Sequence, residues 1–266
     1  MMAASLRPYP WRLGATSFVV PAELMTNARL LVGRVDDVQL LFFESVARSR
    51  LPHGVDVDGL LALAGASGLS YTVHLPTDIR LGAADPALRQ EGIDEICRLV
   101  NTLAPLAPSA FDLHLLPESA LAPAAWLANL ERSLAFLAGE LGEAREGICI
   151  ENIDYPCGPV FDIAVQYGFS LCLDVGHLLR YGHDWRAVVA RYLGSSRHLH
   201  YHGVIGGRDH GAVAKEQGEV TAALGDMLRD HRYDGVVTLE MYDLEQLTSS
   251  LAELDRLWGA RCVPGP

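Results

Sequence analysis

The sequence predicts a single α/β domain closed into a (β/α)8 barrel, with a core over about 12–258 of its 266 residues. Three observations carry that prediction. The length is that of one barrel, typically about 250 residues. Short apolar runs alternate with helical stretches from end to end, the pattern of a parallel sheet. Six of those runs end in His, Glu or Asp: Tyr71-Thr72-Val73-His74, Phe111-Asp112-Leu113-His114, Ile148-Cys149-Ile150-Glu151, Leu171-Cys172-Leu173-Asp174, His198-Leu199-His200 and Val237-Thr238-Leu239-Glu240. A parallel barrel gathers its strand ends on one face, so these residues converge there. The runner-up architecture is an open doubly wound sheet. No GxGxxG follows the first strand, which counts against a dinucleotide fold.

Strands are expected over 12–18, 37–43 with Glu44 at its end, 70–75, 110–115, 147–151, 169–174, 197–202 and 235–240. Helices are expected between them. One starts at Pro21, a residue suited to a first turn. The next covers 57–66 and is closed by Gly68. A long one runs over 86–103 and stops before Pro105 and Pro108. Others cover 122–141, 160–167, 185–192, 213–230 and 244–258. The stretch Gly206-Gly207-Arg208-Asp209-His210-Gly211 reads as a flexible polar loop, a common place for substrate contacts.

Composition narrows the function. No apolar run reaches the ~18 residues of a membrane helix, and residues 1–11 lack the apolar core of a signal peptide. A soluble, cytoplasmic protein is expected, with no membrane partner. The five cysteines form no CxxC pair; Cys149 and Cys172 sit inside apolar strands as buried thiols, usage that fits a reducing compartment. The net charge of −12 opposes binding along a phosphate backbone. The only lysine, Lys215, lies far from any strand end, which leaves Schiff-base chemistry without a well-placed nucleophile.

A cluster of imidazoles and carboxylates at one barrel mouth suits Zn2+, Mn2+ or Fe2+. Carboxylates crowded there repel unless cations lie among them. Beyond the six strand ends, His177 follows in Asp174-Val175-Gly176-His177, and His210 with Asp209 and Arg208 lies past the seventh strand. Asn152 follows Glu151 and is expected to orient it by hydrogen bonding. His202 lies two residues beyond His200 and points the same way on a strand. One of those two is a candidate ligand and the other a supporting residue. Glu44 is either a substrate-binding acid or a helix cap. His53, His183, His198 and His231 read as structural or exposed.

These residues resemble the xylose-isomerase-like TIM-barrel superfamily, which includes the AP-endonuclease-2 group and sugar isomerases and epimerases. The resemblance spans nearly the whole chain. It rests on His74 in His-x-Pro, His114, Glu151-Asn152, Asp174-Val175-Gly176-His177, His200 and Glu240. It implies two or three divalent ions, Zn2+ or Mn2+, as in the endonuclease-like members. His74, His114 and Glu151 would hold one; Glu151, Asp174, His200 and Glu240 a second; His177 and His210, with Asp209, a third. Isomerase-like members hold one metal on Glu151, Asp174, His200 and Glu240. The chain departs from the endonucleases at His202-Gly203, where they commonly carry Asn-Asp, and in its acidic balance. Within the superfamily, 14–18, 35–40, 71–76 and 207–210 resemble the cobamide-remodelling phosphodiesterases, which cleave the nucleotide loop of corrinoids.

The first expectation is therefore phosphodiester hydrolysis on a corrinoid or other small-molecule substrate. Glu151 and Glu240 would be catalytic, and Glu44, Asn152, His202, Arg208 and Asp209 would contact substrate. The rival is a sugar or sugar-phosphate isomerase or epimerase, with Glu151 and Glu240 as the acid–base pair around one metal. A non-catalytic metal or corrinoid-binding module is the third reading, and an AP endonuclease is disfavoured by the charge.

Overall fold

The structure, a computed structural model, describes residues 6–42, 55–213 and 215–259. Phe43, Glu44 and His53 lie outside them. Seven strands lead the chain: β1 (Arg12–Thr16), β2 (Asp37–Leu41), β3 (Ser70–His74), β4 (Phe111–Leu113), β5 (Ile148–Glu151), β6 (Ser170–Asp174) and β7 (Ser196–Tyr201). A hairpin, β8 (Gly203–Ile205) and β9 (Arg208–Gly211), follows, and β10 (Val236–Leu239) completes the sheet. Apart from the hairpin, all strands are parallel and close in the order β1-β10-β7-β6-β5-β4-β3-β2. The expected closed barrel is the observed one.

Helices α1 (Leu24–Leu31), α2 (Val57–Ser67), α3 (Pro86–Leu103), α4 (Pro123–Leu141), α5 (Gly158–Gln166), α6 (Val175–Arg180), α7 (Trp185–Tyr192), α8 (Gly218–Asp230) and α9 (Leu244–Trp258) connect the strands. Their starts are written in the sequence. Asp56, Asp85, Asp174, Asp184 and Asp243 each accept a backbone N–H at a helix start, satisfying a donor the helix itself cannot pair. Proline occupies the first turn of α3, α4 and α5, where its missing N–H costs nothing. No described helix is long and apolar enough to cross a membrane.

Alternation along each strand divides the core. Leu13, Val38, Leu40, Val73, Leu113, Ile150, Leu173, Leu199 and Leu239 are buried in the apolar shell shared with the helices. The intervening residues meet across the barrel lumen: Asp112 of β4 contacts His198 of β7, and Gln39 of β2 contacts both Asp112 and His200. Barrel lumens are normally filled by bulky branched side chains. This one is largely polar, with Asp37, Gln39, Thr72, His200 and Glu151 all fully buried beside a small cluster of Ala110, Cys149 and Cys172.

Two local expectations are corrected. The stretch after β7 is an antiparallel hairpin, not an irregular loop. Gly206 and Gly207 both adopt positive φ, 58° and 77°, the backbone a two-residue turn needs to match strand twist. And Asp174 does not simply end a strand: it caps the six-residue helix α6, accepting the His177 N–H at 2.7 Å, and that helix start sets His177 beside it.

Candidate metal centre

Every strand-end residue named from the sequence reaches the same mouth of the barrel. His74, Glu151, Asp174 and His200 end or nearly end their strands, His114 and Glu240 follow theirs by one residue, and His177 and His210 enter on α6 and β9. Four groups bring their ligand-type atoms within 4.8 Å: His74, His114 and Glu151; Glu151, Asp174, His200 and Glu240; His177, His202 and His210; and, lower in the barrel, Asp112, Cys172, His198 and His200. A cleft of about 220 Å3 opens over them, lined by His74, His114, His177, His210 and Glu240 together with Phe42, Thr77, Ile153 and Tyr242.

Glu151 is the hub, and its two oxygens face different partners. Oε2 lies 3.1 Å from His114 Nε2 and 3.5 Å from His74 Nε2. Oε1 lies 3.3 Å from His200 Nδ1 and 3.5 Å from His177 Nδ1. Burial alone would raise its carboxyl pKa, yet the His114 and His200 rings hold it well below the usual range. Asp174 is lowered too: burial opposes, but the charges of His177 and His202 prevail. His74 moves the other way. Burial opposes protonation, but Glu151, through a hydrogen bond and its charge, and then Glu240 raise the ring to about 9.

The rings are oriented by the backbone. His74 Nδ1 lies 2.8 Å from the Leu75 carbonyl, His177 Nδ1 3.2 Å from that of Asn152, and His210 Nδ1 3.1 Å from that of Glu240. A carbonyl only accepts, so each Nδ1 carries a proton, and Nε2 is the nitrogen left for an ion to take. Glu151 Oε1, Asp174 Oδ2, His200 Nδ1 and Glu240 Oε2 are buried with no hydrogen-bond partner in the protein. Buried polar atoms seldom go unpaired. Unpaired carboxylate oxygens beside an unpaired imidazole nitrogen form a donor set that fits a divalent transition-metal ion.

Other expected site residues are placed differently. Asn152 does not orient Glu151: its side chain accepts from Asp174 N at 3.0 Å and donates to Asp174 O at 2.8 Å, tying β5 to β6, and it is fully buried. Asp209 pairs with Arg180 at 2.5 Å and belongs to none of these groups. Arg208 is exposed on β9 and does not line the cleft. His202 is fully buried within the third group rather than facing substrate. Glu44 lies outside the described residues.

A second polar layer lies below the first. Asp112 Oδ2 accepts from His198 Nδ1 at 2.7 Å and from Gln39 Nε2 at 2.9 Å, and His198 Nε2 meets Thr238 Oγ1 at 2.7 Å. Gln39 Nε2 also lies 2.7 Å from His200 Nε2. From the sequence, His198 reads as merely structural, and neither Asp112 nor Gln39 stands out. Their signal is spacing: Asp112 and His198 each precede a mouth residue by two, hence share its face. Tyr242, which lines the cleft and packs 5.1 Å from the His210 ring, follows Glu240 by two.

The profile of the xylose isomerase-like TIM barrel family matches residues 35–257. The chain belongs to that family. Solved structures agree in fold at low identity. A D-psicose 3-epimerase from Clostridium cellulolyticum superposes with TM-score 0.76 at 15% identity, covering 93% of this chain and 99% of that one. Endonuclease IV from Thermus thermophilus gives 0.69 at 19%, covering 94% and 99%. IolI protein, solved with a bound zinc atom, gives 0.74 at 12%, covering 96% and 100%. A search of curated proteins by sequence gives no match.

Proposed function

We propose that this family member is a divalent-metal-dependent phosphodiesterase. The observation that carries the reading is the division of Glu151: Oε2 faces His74 and His114, and Oε1 faces His200 and His177. A carboxylate divided this way would be shared between ions in a multinuclear hydrolytic site. A site for one ion needs only Glu151, Asp174, His200 and Glu240, and leaves His74, His114, His177 and His210 unexplained. Bound divalent ions supply positive charge for an anionic transition state and lower the pKa of water to roughly 7. The chain's part is placement. His74, His177 and His210 would offer Nε2, Asp174 and Glu240 would supply the remaining carboxylates, and Phe42 and Ile153 line the cleft.

The finer reading is cleavage of the nucleotide loop of cobamides. It is supported by the resemblance over 14–18, 35–40, 71–76 and 207–210 and by an acidic balance suited to an amide-rich substrate rather than to DNA. The second reading is sugar epimerisation, with Glu151 and Glu240 as the acid–base pair around one ion. The fold comparisons favour it, since several structural neighbours, among them the D-psicose 3-epimerase, carry that activity in their names. Metal stoichiometry separates the two. Two or three ions per chain by plasma mass spectrometry, with a truncated corrinoid formed from coenzyme B12 and blocked by chelator, is the expected result. One ion, unchanged coenzyme and turnover of a ketohexose would overturn it in favour of the epimerase.

A further inference from the structure

A second cavity, of about 400 Å3, opens off two of the loops that build the metal cleft, and the two share no lining residue. We infer that this cavity binds a planar N-heteroaromatic ring and that, on the phosphodiesterase reading, the ring is the aromatic base of the substrate whose phosphodiester lies at the metal centre. The ring assignment stands without that reading; the substrate assignment rests on it.

The two loops each face both ways. After β4, His114 lines the cleft, and Pro117 and Leu121 line the cavity. After β5, Ile153 lines the cleft, and Tyr155 and Pro156 line the cavity. Helices α4 and α5 close it with Trp126, Leu127 and Val160. Tyr155 follows Glu151 by four residues, a stretch of chain that spans at most about 14 Å. One ligand of nucleotide size can therefore occupy both sites.

The walls select for a flat, uncharged group. None of the residues lining the cavity is Lys or Arg, so a phosphate finds no counter-ion there. Its polar atoms are largely in use: Trp126 Nε1 donates to Leu116 O at 3.1 Å, and Glu118 Oε2 accepts from Ala84 N at 2.8 Å. The hydroxyls of a sugar would go unpaired, which is costly in an apolar site. Pro117, Pro156 and Pro159 present rigid apolar rings with no N–H. The Trp126 and Tyr155 rings meet edge to face, with centroids 5.2 Å apart and planes at 75°, an arrangement aromatic rings favour. One polar atom is left over. The Tyr155 hydroxyl is buried and has no hydrogen-bond partner in the protein, a rare condition for a buried polar group. A phenol at neutral pH carries its proton and can donate it. A heteroaromatic ring nitrogen offers one acceptor on an otherwise apolar disc, and the cavity is of the size that holds small molecules, roughly 300–1,000 Å3.

The test uses benzimidazole, with indene, the same bicycle without nitrogen, as its control. Each is titrated calorimetrically into metal-loaded protein in excess inorganic phosphate, which occupies the ions. Benzimidazole is expected to bind at one site, roughly 3–10-fold more tightly than indene, the effect of one hydrogen bond. Tyr155→Phe should erase that difference. Leu121→Trp, which fills the cavity, should abolish binding of both while ion content and circular dichroism stay wild type. Leu127→Trp fills it from α4 and serves where the first variant does not fold. Absent binding to the wild type, or benzimidazole binding that survives filling, would overturn the inference, the latter because the compound then lies on the metal. Turnover of coenzyme B12 separates a ring on the substrate from a free one. Filling should raise KM about tenfold or more and lower kcat far less. An unchanged KM in a variant that no longer binds benzimidazole would overturn the substrate assignment and leave a site for a free heteroaromatic compound. No turnover by wild-type protein that binds benzimidazole would sink the phosphodiesterase reading and leave the ring assignment standing.

Discussion

Two polar layers lie inside this barrel, two residues apart on the same strands, and they are finished differently. In the lower one, Asp112, His198, Thr238 and Gln39 bond to each other, and Asp37 accepts from Thr72 Oγ1 at 2.8 Å and from Ser70. Only Asp112 Oδ1 and Gln39 Oε1 lack a partner there. In the upper one, Glu151 Oε1, Asp174 Oδ2, His200 Nδ1, His202 Nε2 and Glu240 Oε2 all lack one. His200 spans both, with Nε2 on Gln39 and Nδ1 toward the carboxylates. Equal burial therefore does not mean equal purpose. A layer whose donors and acceptors pair internally supports the fold, and a layer that converges without pairing is built for something added.

That contrast breaks most sharply at Glu151. Glu151→Gln keeps the size of the side chain and removes the charge that two of the four groups share. Ion content should fall by at least two per chain and turnover should drop to background, while circular dichroism stays native. Wild-type metal content in this variant would mean Glu151 is no bridge. Asp112→Asn should do the reverse. It removes the buried negative charge that His198 and Gln39 share, a cost of about 3 kcal/mol, read as a lowered urea midpoint. Ion count at saturation should be unchanged. Equal loss of metal in both variants would erase the distinction between the layers.

The upper layer was legible in the sequence and the lower was not, for a physical reason. His74, Glu151 and Asp174 end apolar runs, so each appears as an anomaly where a strand stops. Asp112, Gln39 and His198 lie inside runs, where one polar residue reads as an interruption of the strand. Only the period of two, carried back from each mouth residue, marks them as lumen-facing. The hairpin had its own signal in Gly206-Gly207, a pair that suits a two-residue turn, but hydrophobic flanks are confined to Val204 and Ile205 on one side. Helix α6 is too short for a helical period to show. The Nδ1 contacts of His177 and His210 depend on backbone groups brought in from other elements, which no local pattern encodes.

A pH series sharpens the comparison within the upper layer. Glu151 and Glu240 raise the His74 ring from 6.5 to about 9 against the opposing effect of burial. A group raised on folding stabilises fully below its unfolded pKa, and that contribution disappears as pH rises through the folded value. Metal-free protein should therefore lose melting temperature between about pH 6.5 and 9. Zinc-loaded protein should hold its melting temperature over that range, because the ion takes the place of the proton. The gap between the two melting curves widens with pH, as scanning calorimetry can record; a constant gap would place His74 outside the metal set.

The smallest effect belongs to Asp209, and it discriminates between two neighbours on one strand. The resemblance to endonuclease-like relatives places Asp209 beside His210 in the third metal site. The structure turns it away, onto Arg180, with both side chains partly exposed. Asp209 faces Arg180 while the His210 ring lines the cleft, so this arrangement of β9 does not deliver both to one ion. Asp209→Ala should then cost no more than a surface ion pair, roughly 0–1 kcal/mol, with ion content and metal affinity unchanged. His210→Ala should lose the third ion. A loss of metal in Asp209→Ala that matched the loss in His210→Ala would show that β9 rearranges on binding, bringing the Asp209 carboxylate from Arg180 into the cleft.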